Sequence, residues 1–175
     1  MKIRIRRLEA QDDRTGFRSG NVELDRFFAR YASQNQFRHH IGTTYVALDE
    51  AGKIVGFATV TASELTTARL SETKRKRLPA YPVPVLRLAR LAVDERVQGQ
   101  GVAKALLRAV FALAHQMASD MGCLGVVVDA KQEAVDYYRK LGFIELQVNT
   151  GQLGDRPEPL PMFLELSAIP NPNGE

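Results

Sequence analysis

Residues 90–107 read Arg90-Leu-Ala-Val-Asp-Glu-Arg-Val-Gln-Gly-Gln-Gly-Val-Ala-Lys-Ala-Leu-Leu107. The stretch runs an apolar strand into a glycine-rich turn and from there straight into a long amphipathic helix. Gly99 and Gly101 let the backbone turn sharply and approach a ligand closely, while the first N–H groups of the helix and the positive end of its dipole face whatever sits there. Such a junction suits an anion, a pyrophosphate included. The same residues also serve as an ordinary strand-to-helix turn that happens to use glycine, and the six-residue pattern alone leaves both readings open.

Working outward, the periodicity predicts an alternating, edge-like strand at 2–7 and a helix from about Val22 to Phe37 carrying Leu24, Phe27, Phe28 and Tyr31 at helical spacings. Strands are expected at 43–48 and 54–62, joined by a hairpin turn at Asp49-Glu-Ala-Gly-Lys53. The basic cluster Lys74-Arg75-Lys76-Arg77 and the prolines 79, 82 and 84 predict a loop leading into a strand at 85–93. The helix at 103–121 places Leu106, Leu107, Val110, Phe111, Ala114, Met117 and Met121 on one apolar face, with Gly122 as its cap. A buried strand at 123–128, a short helix at 133–141 closed by Gly142, a strand from Phe143 and a last one at 162–166 complete the path. This alternation predicts an α/β domain spanning 1–168 and a flexible tail at 169–175.

Composition fits that picture: 175 residues, 45% hydrophobic and 25% charged, are ordinary for one globular domain. No apolar run approaches the roughly 20 residues that span a bilayer, and the opening Met-Lys-Ile-Arg-Ile-Arg-Arg alternates charge with isoleucine, so the expectation is a cytoplasmic protein without a membrane partner. The lone Cys123 allows no internal disulfide and reads as a packing residue. His39, His40 and His115 lack ligand spacing, so no metal is expected. The net charge of +4 is mild, yet Lys2 to Arg7, Arg38 to His40 and Lys74 to Arg77 form local clusters that attract phosphate. Each cluster read alone is equally a solvated face.

The spacing Gln98-x-x-Gly101-x-Ala103 resembles the Q/R-x-x-G-x-G/A pattern with which the GNAT family of N-acetyltransferases grips the pyrophosphate of acetyl-CoA. About 35 residues on, Ala134-Val-Asp-Tyr-Tyr-Arg-Lys-Leu-Gly-Phe143 resembles the A-x-x-F/Y-Y-x-x-x-G-F signature of the same family. The resemblance implies a mixed central sheet of six or seven strands with a splayed parallel pair, flanked by about four helices. It implies acetyl-CoA as cosubstrate, held by Gln98, Gly99, Gln100, Gly101, Val102, Ala103 and Lys104, and by the main chain of Leu91, Ala92 and Val93. It also implies Tyr138 as general acid toward the departing thiolate. Adjacent helical residues point about 100° apart, so Tyr137 is the one expected to pack as a core aromatic. The family's frequent asparagine seven residues before the tyrosine is Lys131 here, and no role is carried over to it.

The chemistry implied is acyl transfer to an amine. At pH 7 an ordinary lysine is less than about 0.1% deprotonated, an α-amine roughly 10–20%, so an α-amine needs little help from a base. Glu64 stands near a strand end as one carboxylate available for that work, or as a plain surface residue. Phe17-Arg-Ser-Gly-Asn-Val-Glu-Leu-Asp-Arg-Phe-Phe28 resembles the F-x-S/C-G-x-x-x-L-D-x-F/W-L opening of the GNAT toxins of bacterial toxin–antitoxin pairs, and Arg90-Leu-Ala-Val-Asp94 resembles their G/A-R-L-A-V-D segment. Those toxins acetylate the α-amine of aminoacyl-tRNA, form homodimers and are neutralised by a ribbon-helix-helix antitoxin. With an RNA acceptor so implied, the basic residues Lys74, Arg75, Lys76, Arg77 and Arg90 are candidates for RNA contact on their charge. Two other classes stay open: a housekeeping acetyltransferase of small or protein amines, and a non-catalytic acyl-CoA-binding module.

Overall fold

The computed structural model describes residues 1–146 and 159–171. Seven strands lie in the order β1-β2-β3-β4-β5-β7-β6, a mixed sheet with one parallel pair. They are β1 (Arg4–Arg7), β2 (Thr43–Leu48), β3 (Ile54–Leu65), β4 (Val83–Val93), β5 (Gly125–Ala130), β6 (Ile144–Glu145) and β7 (Leu160–Glu165). The helices among the described residues are α1 (Val22–Arg30), α2 (Ala32–Gln34), α3 (Glu72–Arg75), α4 (Val102–Asp120) and α5 (Val135–Lys140), where about four were expected. Contacts divide the chain into two compact units, residues 1–61 with 88–110, and residues 62–87 with those from 111 on.

In the first unit, β1 pairs antiparallel with β2, and β2 with the start of β3. The hairpin at 49–53 closes because the Asp49 carboxylate accepts from the N–H groups of Ala51 and Lys53. α1 begins where Asn21 accepts from the Leu24 N–H at 3.0 Å. Ser19 Oγ donates to the Asp25 carboxylate at 2.6 Å, fixing the entry loop to the helix it precedes. The buried face then carries Phe27 and Phe28 into a cluster with Phe17 and Phe57. Phe28 stacks on Phe57 at 4.4 Å, and Phe17 meets both edge-on at 5.1 and 5.5 Å. Aromatic pairs of this kind add about 0.5–1.5 kcal/mol each beyond the area they bury. The Phe17–Phe28 motif is thus a helix cap and a core anchor in one. The helix expected as far as Phe37 is broken rather than continuous: α1 closes at Tyr31, 46% exposed, α2 resumes at Ala32–Gln34, and the chain then widens into a π turn at Asn35–His39 that ends on His40 in left-handed backbone. Helical spacing continues through that segment, but the backbone pairs five apart.

The second unit packs Leu65, Leu70, Val83, Val85, Val127 and Phe163 into its own core. β5 and β7 pair antiparallel, from Gly125 opposite Glu165 to Ala130 opposite Leu160. The basic stretch predicted as loop contains the short helix α3, started by Ser71 Oγ accepting from the Lys74 N–H. α4, which runs through both units, buries Leu106, Leu107, Val110 and Ala114 as its period requires, but Met121 lies past its end and is 75% exposed. Gly122 and Gly142 close α4 and α5 in left-handed backbone, as expected. Ile169, the first residue assigned to the tail, is buried and its carbonyl accepts from His115 Nε2 at 2.9 Å; residues 172–175 of that tail lie outside the described residues. No helix of the described residues is long and apolar enough to cross a membrane, and no three His, Cys, Asp or Glu among them come together as a metal site.

Candidate functional site

The first unit holds the glycine turn. Gly99 (φ +79°) and Gly101 (φ +87°) both occupy left-handed backbone, and a Cβ built on either meets nothing within 4 Å. The turn is therefore open to a ligand on its outer side. The Ala105 N–H reaches the Gly101 carbonyl at 3.1 Å, so the helical ladder starts at the turn itself. The N–H groups of Val102, Ala103 and Lys104 stand in the first turn, where intrahelical acceptors are lacking. Val102 contributes only its main chain, because its side chain is 1% exposed and packs against Gly56 of β3. A Cβ at Gly56 would stand 2.8 Å from Val102 and 3.1 Å from Leu106. This bare backbone lets the start of α4 lie close on β3.

What holds the turn in place is a carboxylate to which the motif gives no role. Asp94 is 1% exposed. One of its oxygens accepts from the Arg96 N–H and Nε, the other from Arg96 Nη2 at 2.9 Å and the Arg18 N–H at 3.4 Å. The Glu95 N–H donates to the Arg18 carbonyl at 2.8 Å, and the Asp94 N–H to the Val55 carbonyl at 2.9 Å. Gln98, expected on the cofactor, turns its amide inward, donating to the Ser19 carbonyl at 3.0 Å and the Val93 carbonyl at 3.2 Å. Residues 94–98 are thus tied to residues 18 and 19. Leu91 and Val93 are half-buried and Ala92 buried, while Gln100 and Lys104 are exposed beside the turn.

Hydrogen bonds from the Arg96 side chain pull the Asp94 carboxyl down to about 2, against the opposing effect of burial. A carboxyl depressed on folding adds stability above its unfolded value near 4, and that stability is lost as pH falls through about 2. With Arg96 half-exposed, the increment is at most about 2 kcal/mol. Urea unfolding should show wild-type protein losing that increment between about pH 5 and 2. The Asp94→Asn protein should lack it already at pH 7 and depend less on acid; equal acid sensitivity in both would remove Asp94 from this role.

Tyr138 lies in the second unit, on α5. The fit is the reverse of that expected for the tyrosine pair: Tyr138 is the buried ring, 6% exposed, and Tyr137 the exposed one, at 39%. The Tyr138 ring meets Phe143 edge-on at 5.3 Å. The Tyr138 carbonyl accepts from Leu141 and Phe143 as the helix turns at Gly142, which fixes the backbone beneath the ring. Burial pushes its hydroxyl up to about 12. It remains protonated throughout the physiological range. Lys131 is exposed and leads into the turn before α5, making no side-chain cap there.

The basic candidates separate. Lys74 bridges to Glu165 at 3.3 Å and its ammonium lies 5.9 Å over the Phe163 ring, while Lys76 pairs with Glu72 at 3.9 Å. Arg75 and Arg77 are exposed. Arg90, in the first unit, stacks on Phe27 with its guanidinium carbon 3.7 Å from the ring centroid. Glu64 is exposed at the end of β3, a surface carboxylate.

The glycine turn that opens α4 and the tyrosine on α5 before Gly142 carry the two motifs by which the sequence resembles the GNAT acetyltransferases. The acetyltransferase (GNAT) domain matches residues 40–145, and the chain belongs to that family. It is 32% identical over 139 residues to the tRNA-acetylating toxin of Mycobacterium tuberculosis, covering 79% of this chain and 82% of the relative. The solved structure of AtaT complexed with acetyl-methionyl-tRNAfMet superposes with a TM-score of 0.82 at 25% identity, covering 96% of this chain and 97% of that one. AtaTR bound with AcCoA superposes with a TM-score of 0.76 at 25% identity, covering 95% of each.

Proposed function

We propose that the chain is an N-acetyltransferase that uses acetyl-CoA to acetylate the α-amine of aminoacyl-tRNA, and that it acts as a translation-blocking toxin. The observation that carries this reading is the 32% identity to a tRNA-acetylating toxin across 79% of the chain. The structural relative carrying acetyl-methionyl-tRNAfMet supports it.

Bound acetyl-CoA would supply an activated acetyl group and a thiolate leaving group. The open turn at Gly99–Gly101 and the first N–H groups of α4 suit its pyrophosphate. The main chain of Leu91–Val93 would hold the pantetheine arm, and the Val93 N–H would polarise the thioester carbonyl. Tyr138 would return a proton to the sulfur, and the proton shed by the attacking nitrogen restores the phenol. Because burial disfavours any anion formed beside it as much as the phenolate, the donor and the thiolate rise together. The amine attacks in its neutral form, which an α-amine already populates. We also infer a homodimer, a cytoplasmic location and neutralisation by a ribbon-helix-helix antitoxin, from the resemblance to the toxin group.

Mass spectrometry of charged tRNA incubated with enzyme and acetyl-CoA tests the reading: aminoacyl groups should gain one acetyl. Acetyl-CoA consumption with small amines or peptides, and every aminoacyl-tRNA unmodified, would make this a housekeeping acetyltransferase instead. Lys74 and Lys76 are already paired, so the phosphate-seeking charge of that cluster rests on Arg75 and Arg77. Replacing both with alanine should weaken tRNA binding and lower the salt dependence by about 0.7–0.9 of a log unit for each phosphate no longer neutralised, leaving acetyl-CoA affinity alone. An unaltered salt slope would confine the cluster to solvation.

A further inference from the structure

β4 carries two half-buried arginines with different partners. Arg87 is neutralised, its Nη1 lying 2.6 Å from the Asp129 carboxylate with Ser63 Oγ on its Nε. Arg90, three residues on, makes no hydrogen bond or ion pair with any described residue. It is half-buried, its face laid on Phe27, itself 6% exposed. A partly desolvated cation without an anion among the described residues is costly to keep, and burial pulls its pKa down. Stacking uses the face of a guanidinium and leaves its in-plane N–H fork free, the arrangement that grips a phosphate or carboxylate bidentately.

We propose that Arg90, held flat by Phe27, is the receptor for the last phosphodiester of the acceptor RNA, the one 5′ to the terminal adenosine that carries the aminoacyl group. This rests on the aminoacyl-tRNA reading above. The length fits. Three residues of extended strand separate Arg90 from Val93, about 10 Å, and Val93 is where the thioester carbonyl is proposed to sit. In a charged acceptor end, eight covalent bonds separate the α-amine from that phosphorus, also roughly 10 Å when extended. The guanidinium stands off the strand on Phe27, so an acceptor pinned there by its phosphate has the reach to bring its amine toward the acetyl group. The arginine selects aminoacyl esters of a nucleotide over free amino acids and peptides, which have no phosphate at that distance.

The test uses charged tRNA whose last phosphodiester is either natural or replaced by a neutral methylphosphonate. With wild-type enzyme the neutral linkage should lower kcat/KM at least tenfold, mainly through KM. Arg90→Met should show that loss on natural tRNA and no further loss on the neutral one. Arg90→Lys, which keeps charge without the fork, should fall between them, and carries the comparison if the methionine variant does not fold. Acetyl-CoA affinity by calorimetry should stay within twofold. If the variants remain as sensitive as wild type to the neutral linkage, the assignment is wrong. A loss of acetyl-CoA affinity would also overturn it, giving the arginine to the cofactor's own phosphates. If wild-type enzyme acetylates neither tRNA, the aminoacyl-tRNA reading itself fails and this inference goes with it.

Discussion

Tyr138→Phe should lower turnover by about 10²–10⁴ while acetyl-CoA affinity changes by less than a factor of a few, because the substitution removes only the hydroxyl proposed as proton donor. The ring and its edge-on packing with Phe143 stay, so stability should change by no more than about 1 kcal/mol. Tyr137→Phe is the matched control, since that ring is the exposed one of the pair and its hydroxyl has no proposed part in the reaction. With Tyr138 raised to about 12, any loss of rate between pH 8 and 10 must come from another group. Single-turnover acetylation across that range checks both points. Near-normal turnover in the phenylalanine variant would leave Tyr138 as packing alone.

The second large effect belongs to the glycine turn. Gly101→Val forces a β-branched residue into backbone at φ +87°, costing about 1–3 kcal/mol of strain unless the loop moves. Either outcome disturbs the N–H groups proposed to meet the pyrophosphate, and acetyl-CoA affinity should fall by about two orders of magnitude, as for several missing charge-assisted hydrogen bonds. Gly52→Val provides the control: it sits at φ +80° in the β2–β3 hairpin, equally free of neighbours within 4 Å. It should lose comparable stability and bind acetyl-CoA normally. If both variants bind alike, the turn at Gly101 is structural punctuation and the cofactor is held elsewhere.

Most of the architecture is legible in the sequence because periodicity and glycine punctuation are local signals. The apolar stripe of α4, its glycine cap and the Asp49–Lys53 hairpin depend on residues near each other in the chain. The misses are the places where distant partners decide. Which of Tyr137 and Tyr138 faces inward depends on the rotation of α5, and a helix of six residues carries too few apolar positions to fix that rotation. Helical backbone is interrupted at Tyr31, resumes in α2 and turns to π pairing only at Asn35–His39, changes of pairing that leave the composition and apolar spacing unaltered. Motif position places Gln98 on the cofactor, yet its amide reaches the Ser19 carbonyl, 79 residues away. Asp94 sits inside the quoted motif, and only the fold reveals that its partners include residue 18. A signal is available: a carboxylate immediately after an apolar strand and two residues before an arginine is well placed to cap the following turn.

The bonds from residues 94–98 to residues 18 and 19 bear on how this protein can be rebuilt. The segment that shapes the glycine turn and the segment that caps the first helix are joined by hydrogen bonds into one part, although more than seventy residues separate them in the chain. A chimera that receives residues 90–107 from a relative while keeping its own residues 17–25 would inherit a turn without its brace. Transplanting both segments together should preserve acetyl-CoA binding in the recipient. Transplanting the later one alone should yield a folded protein with a loosened, low-affinity turn. For recombination, natural or engineered, the workable unit here is discontinuous.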